Sequence, residues 1–459
     1  MLALAQLLNA SELGQIEVQL RGTKPTASTG ARKSSSPARS VICLFQHGGP
    51  SQVDLFDPKP EMLKWNGKPY PLGELEIHAL KESGNVLASP FRFRHHGESG
   101  IELSELLPHL GTMIDDVTLI RSMTTESVDH EAALRRFHTG RKDSGYPTWG
   151  SWVTYGLGTE CENLPAYVVL ADAGGLPLDG NRNWSSGWLP ARHQGTPFLT
   201  GSGSPVVDLQ TPANVPPGAR KEQLAFLDQL NQFHLRQHPE NSELSARIQN
   251  FELAAQMQAS VPAFLDISGE TLATQKMYGL DREETREYGT RCLLARRLVE
   301  QGVRFVQVFM SGQPWDTHKD NAAELTRLCD MTDQPTVALL RDLKQRGLLD
   351  STIVLWGGEF GRLPIAQGLD GRDHNRHGFS IWAAGGGFRA GYVHGETDDF
   401  GYRAITDPVS THDLHATLLH TLGLNHVRLT YPHSGRETSL TDPEVTQARV
   451  ISELLKTGV

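Results

Sequence analysis

Residues Ser40–Gln46 (SVICLFQ) form an unbroken apolar run that ends on the glycine-rich turn His47-Gly48-Gly49-Pro50. A strand with one wet face alternates apolar and polar residues. A continuous run predicts instead a strand buried on both faces, as in a parallel sheet. The signal recurs at Val117–Met123, Tyr167–Ala171, Arg304–Phe309, Ser351–Trp356 and Phe379–Ala384. Between these runs the periodicity predicts helices over Asp129–Thr139, Lys221–Gln258, Glu283–Gln301, Asp320–Arg346 and Ser410–Leu422. Alternation of this kind gives an α/β fold with a mostly parallel central sheet and helices on both faces.

One large domain is expected over 40–442, with a helical insertion at about 215–300 and a C-terminal helix over 443–459. Residues 172–218, rich in Gly, Pro and Asn, read as an excursion with no packed element. The opening MLALAQLLNASELG is similar to the tail of an export signal without its positive n-region, and residues 22–40 read as a flexible linker. Residues 1–39 are therefore set apart as signal remnant and linker, and the location expected is periplasmic or secreted.

Composition excludes some classes. No stretch approaches the roughly 18 consecutive apolar residues of a membrane span. A net charge of −10 offers no basic face to neutralise nucleic-acid phosphates. It leaves an anionic substrate open, because a bound metal inverts the local field. Cys43, Cys161, Cys292 and Cys329 are far apart without a CxxC pair, so four thiols are expected rather than a zinc ribbon or a disulfide framework.

In open α/β sheets ligands bind beyond the carboxyl ends of the strands. Polar residues gather there in this chain. His47 and Asp54 follow the first strand, and Ser122, Thr124, Thr125, Ser127, Asp129 and His130 follow the second. Asp316-Thr317-His318 follows RFVQVF, Glu359-Phe360-Gly361-Arg362 follows STIVLW, and Asp373-His374-Asn375-Arg376-His377 precedes FSIWAA. Oxygen and imidazole donors without thiolate suit Zn²⁺, Mn²⁺, Mg²⁺ or Ca²⁺. One or two divalent ions are expected, held among His47, Asp54, Asp316, His318, Glu359, Asp373, His374 and His377.

The segments HGGPSQVDLFDPKP, WDTH, GGEFGR, GRDHN, AAGGGFRAGYVHGETDDFGY and THDLHATLLHTLGL, with the ending RLTYPHSGRETSLTD, closely resemble an uncharacterised bacterial family. It is called domain of unknown function 1501, is abundant in planctomycetes, and lies within the alkaline phosphatase and sulfatase-like superfamily. The resemblance runs from about Ser40 to Asp442. It implies an alkaline phosphatase-like fold, a twin-arginine export signal and a metal-dependent hydrolase of phosphate or sulfate esters, with an anionic small-molecule or glycan ester as substrate.

Carried over by position, the superfamily's first metal Asp is similar to His47 or Asp54, and its Asp–His pair to Asp316 and His318. Its Asp–His dipeptide is similar to Glu359 and Phe360, so the second of those ligands is lost. Its last metal His is similar to His374 or His377. The nucleophile position, ten residues before the Gly of a Thr-Gly turn, falls on His130, beside Asp129. His130 is left as ligand, general base or nucleophile, with Ser127, Thr125 and Ser122 as substitutes. Without a CxPxR signature a formylglycine sulfatase is not expected. Arg121, Arg135, Arg141 and Arg362 are candidates to hold the ester's oxygens. Two rival readings stand beside this one: a degenerate, non-catalytic glycan-binding or surface protein, and a metal enzyme that transfers or isomerises a phosphoryl group.

Overall fold

The computed structural model describes residues 38–78, 83–161, 163–200, 216–238 and 264–458, with positions 248, 257 and 261. The signal remnant and linker expected before Ser40 lie, up to residue 37, outside them. Numbered in chain order, the principal strands are β1 Ser40–Phe45, β2 Val117–Thr124, β3 Tyr167–Ala171, β4 Thr196–Leu199, β5 Phe305–Val308, β6 Thr352–Gly357, β7 Gly361–Gln367, β8 Gly371–Asn375, β9 Phe379–Ala384, β10 Tyr392–His394 and β11 Val409–Ser410. The longer helices are α1 His130–Thr139, α2 Trp149–Leu157, α3 Pro217–Gln237, α4 Glu283–Glu300, α5 Asn321–Gln345 and α6 Thr411–Thr421.

Nine strands form the central sheet in the order β10-β2-β9-β6-β1-β5-β3-β4, with β11 added beside β2. Every pairing is parallel except those of β9, which runs antiparallel to both β2 and β6. The α/β architecture with a mostly parallel sheet is thus the one the apolar runs require. β1 shows how. Its six residues are all buried, and because side chains alternate, Ile42 and Leu44 enter one core while Val41, Cys43 and Phe45 enter the other. α4 and α5 cover the first face through Cys292, Leu293, Leu298, Leu325, Leu328 and Leu339. α1, α2 and α6 cover the second through Leu134, Phe137, Trp149, Trp152, Leu414 and Leu418. All four cysteines are free thiols. Among the described residues no helix is long and apolar enough to cross a membrane.

The structure modifies three expectations about organisation. Within the span expected as a helical insertion, about 215–300, α4 belongs to the main core, because it packs on β5 and α5 and contributes Cys292, Leu294 and Leu298. The excursion at 172–218 contains β4, a parallel edge strand on β3, where Pro197 costs little because one side of an edge strand lacks a ladder partner. The C-terminal segment is not a helix. One turn at Pro443–Thr446 and a 3-10 turn at Ser452–Leu454 are separated by irregular chain, and Gln447 adopts a left-handed conformation that stops the first turn.

A second sheet positions the site. β7 pairs antiparallel with β8 and with the short strand Ser83–Val86. GRDHN, which the apolar runs do not mark as a strand, forms one before β9, with Arg362 of β7 directly opposite His374 of β8.

One buried acid links stability to pH. Asp333, inside α5, accepts the backbone N–H groups of His109 (2.7 Å) and Leu110 (3.0 Å). Burial outweighs these bonds and pushes its carboxyl up to about 7. A raised folded-state pKa stabilises the fold fully below the unfolded value, near 4, and that contribution is lost as pH rises through 7. Asp333→Asn is therefore expected to gain on the wild type between about pH 4 and 7, by up to about 4 kcal/mol. Urea unfolding of both proteins across that window checks the sign.

Candidate metal centre

Four side chains from three regions meet beyond the carboxyl ends of the parallel strands. His130 opens α1, Asp316 and His318 lie in the turn between β5 and α5, and His374 lies on β8. One ligand atom from each falls within 4.8 Å of all the others. Asp316 Oδ1 is the common point, 3.1 Å from His130 Nε2, 3.0 Å from His318 Nε2 and 3.3 Å from His374 Nε2. His318 Nε2 and His374 Nε2 are themselves 2.9 Å apart.

Each imidazole is fixed from behind by an oxygen at Nδ1. His130 Nδ1–H donates to Glu359 Oε1 (2.6 Å), His374 Nδ1–H to the Val128 carbonyl (2.6 Å), and His318 Nδ1–H to the Gln367 amide oxygen. An N–H at Nδ1 leaves the Nε2 lone pair of a neutral ring facing Asp316, and His130 reaches that state once the proton it shares with Asp316 has left. Oxygen-backed imidazoles are the usual environment of metal-ligating histidines. Three nitrogens and one carboxylate oxygen therefore give this group the donors to hold a metal ion.

Electrostatics follow from the same contacts. Burial pushes Asp316 upward, yet three imidazoles and Arg362 hold it well below the usual carboxylate range. Burial lowers His130, but its hydrogen bonds to Asp316 and Glu359 outweigh that and raise it to about 9. Burial, only partly offset by Asp316, keeps His374 down at about 4. An ion entering this centre must displace the His130 proton.

Close approach of backbone makes the assembly possible. A Cβ on Gly371 would lie 1.8 Å from the His318 carbonyl oxygen, and one on Gly48 2.4 Å from the Asp316 nitrogen. Gly48 also has φ +113°, a left-handed value that glycine tolerates and other residues do not. Both positions seat the Asp316–His318 turn against the sheets.

The other candidates from the sequence are placed differently. Glu359, fully buried, backs His130 and accepts the Gly48 N–H at 3.0 Å. His47 is 0% exposed, near Glu359 and His130 and beside the Gly312 backbone, and burial lowers its pKa. Asp54 lies apart from the cluster and forms a bidentate pair with Arg372, at 2.7 and 3.1 Å, while accepting Ser51 Oγ and Asn321 Nδ2. Asp373 accepts the His78 and His374 amides, and His377 pairs with Glu76 at 2.7 Å, so neither joins the cluster. Asp129 caps α1 by accepting the Ala132 N–H, and Ser127 Oγ accepts the Asp129 N–H.

Arg362, expected to face a substrate, is 0% exposed and donates to Asp316 and to backbone carbonyls. Arg135 and Arg141 are tied to Asp179 and Asp442. Phe360 stands in the wall beside His130 and His374, with ring centroids 4.7 and 4.6 Å away. No motif pointed to Gln367 behind His318 or to His78, whose ring stacks on His374 at 5.2 Å.

This architecture and cluster define an α/β protein with a candidate metal centre at the carboxyl edge of its sheet. The chain belongs to the family described as Protein of unknown function (DUF1501), whose model matches residues 38–455. No curated protein matches it in sequence. Among solved structures it is similar to PsFucS1 sulfatase from Pseudoalteromonas sp., with 12% identity, TM-score 0.36, and 87% of this chain and 69% of that one covered. It is similar to the phosphonate monoester hydrolase of Silicibacter pomeroyi, with 10% identity, TM-score 0.33, and 90% and 77% covered. It is also similar to alkaline phosphatase from the Antarctic bacterium TAB5, with 10% identity, TM-score 0.34, and 85% and 99% covered.

Proposed function

We propose that the chain is a metal-dependent hydrolase of phosphate or sulfate esters acting outside the cytoplasm, with a glycan or small-molecule ester as substrate. One observation carries the reading. Three Nε2 atoms converge with Asp316 Oδ1 while each Nδ1 is held by an oxygen acceptor. A nitrogen-rich set of this kind favours Zn²⁺, or a comparable borderline ion such as Mn²⁺, over Ca²⁺. A bound ion polarises an ester oxygen and acidifies water.

The chain's own side chains do the rest. Asp316 and the three imidazoles bind the ion, and Glu359 and Gln367 orient His130 and His318. Phe360 keeps water off one wall. Substrate enters from the side of Asp316 and His318, whose side chains retain 19% and 31% exposure. The head of α1 carries an imidazole, and Ser127 Oγ is engaged in the turn before it, so water is the proposed attacking group.

The test is metal analysis of the purified protein beside an Asp316→Ala/His318→Ala variant, followed by assay of aryl phosphates and aryl sulfates. About one equivalent of metal in the wild type, absent from the variant, with metal-dependent ester cleavage, is the expected result. Metal-free protein that takes up neither Zn²⁺ nor Mn²⁺ would overturn the reading and favour the non-catalytic binding protein. Gln367→Ala is expected to weaken ion affinity about 10- to 100-fold with the fold intact, as loss of an orienting partner does. Competition against a chromophoric chelator measures it.

A further inference from the structure

Arg362 has the surroundings of a bound cation. Its Nη2 donates to Asp316 Oδ1 at 2.6 Å, to the Trp315 carbonyl at 3.2 Å and to the Gly48 carbonyl. Nε donates to the Gly49 carbonyl at 3.0 Å and Nη1 to the Arg372 carbonyl at 3.0 Å. Three oxygens thus enclose one nitrogen, as oxygens enclose a hard cation, and the residue is wholly buried. The same Asp316 oxygen faces the three imidazole nitrogens, so the guanidinium charge lies one atom away from where an ion would be held.

The remaining acids nearby have their own partners. Glu359 takes the His130 and Gly48 N–H groups, and Asp54 is neutralised by Arg372. Among the described residues, one group alone offers at least three convergent donors.

We propose that Arg362 is a tethered cation filling a second cation position of this centre, so that the site takes one divalent ion and no more. The proposal rests on the metal reading above. A guanidinium fixed by five hydrogen bonds cannot retreat, and its charge repels a second dication from the oxygens it already occupies. Arg362 is a positioning residue in this scheme. It sets the Asp316 carboxylate and the ion count, and it does not touch substrate.

Zn²⁺ titration of the metal-free protein, with anomalous diffraction from crystals of the loaded protein, tests it. One equivalent at saturation, located among His130, Asp316, His318 and His374, is expected. Arg362→Ala, which opens the oxygen cage, is expected to take two equivalents of divalent ions, and added methylguanidinium to return it to one. Two ions in the wild type, or a single ion seated on Glu359 and His47, would overturn the proposal while leaving the hydrolase reading standing. No ion at all would remove both. If Arg362→Ala does not fold, the wild-type count and location decide the matter.

Discussion

Asp316→Ala is expected to reduce bound metal to below about a tenth of an equivalent and ester hydrolysis by about a thousandfold or more. No other substitution in the centre removes as much. Asp316 Oδ1 is the atom shared by His130, His318, His374 and Arg362, so its loss removes an ion ligand and the element that gathers the others. It also leaves the buried Arg362 without its carboxylate, which threatens the fold. Asp316→Asn separates the two effects. It keeps the side-chain volume and one acceptor oxygen but loses the charge. Elemental analysis with far-UV circular dichroism reads both variants. Native metal content in either variant would exclude Asp316 as a ligand.

Arg372→Met is expected to cost about 3–5 kcal/mol, the largest stability loss predicted here, since breaking a buried pair strands the surviving charge. Arg372 and Asp54 are both 0% exposed and joined through two hydrogen bonds, and Ser51 and Asn321 complete the carboxylate's partners. Burial pushes the Asp54 carboxyl up, but Arg372 and these partners hold it below its ordinary value. The double variant Asp54→Leu/Arg372→Met removes both charges and is expected to be less destabilised than the single one. Denaturant midpoints of the three proteins check the order.

The sheet was legible because its strands carry one message along their whole length. Tyr167–Ala171 and Phe379–Ala384 are buried residue by residue, so apolar continuity marks their ends as well as their centres. β7 and β8 carry the opposite message. Arg362, Arg372, Asp373 and His374 break any apolar run, yet all are buried, each meeting a partner brought from elsewhere in the chain. The four clustered side chains were each candidates from the sequence, but so were Asp54, Asp373 and His377. Nothing in the spacing tells that Asp54 meets Arg372 or that Glu76 reaches His377. Those pairings depend on how the small sheet folds against the large one. Gln367 shows the same thing from the other side, since its role comes only from lying behind His318.

The place of β1 in the middle of the sheet has a consequence for how the protein is made. Its partners are β5 and β6, which begin 260 and 307 residues after Phe45. At synthesis rates of about 5–20 residues per second, the SVICLF segment leaves the ribosome roughly 13–60 s before those strands exist. During that interval it is an unpaired strand, apolar from Val41 to Phe45, the kind of segment that recruits neighbouring chains. Protection by a holding chaperone is the expected consequence. Pulse-labelled chains halted before residue 305 should be captured by such a chaperone, and chains released beyond residue 400 should escape it.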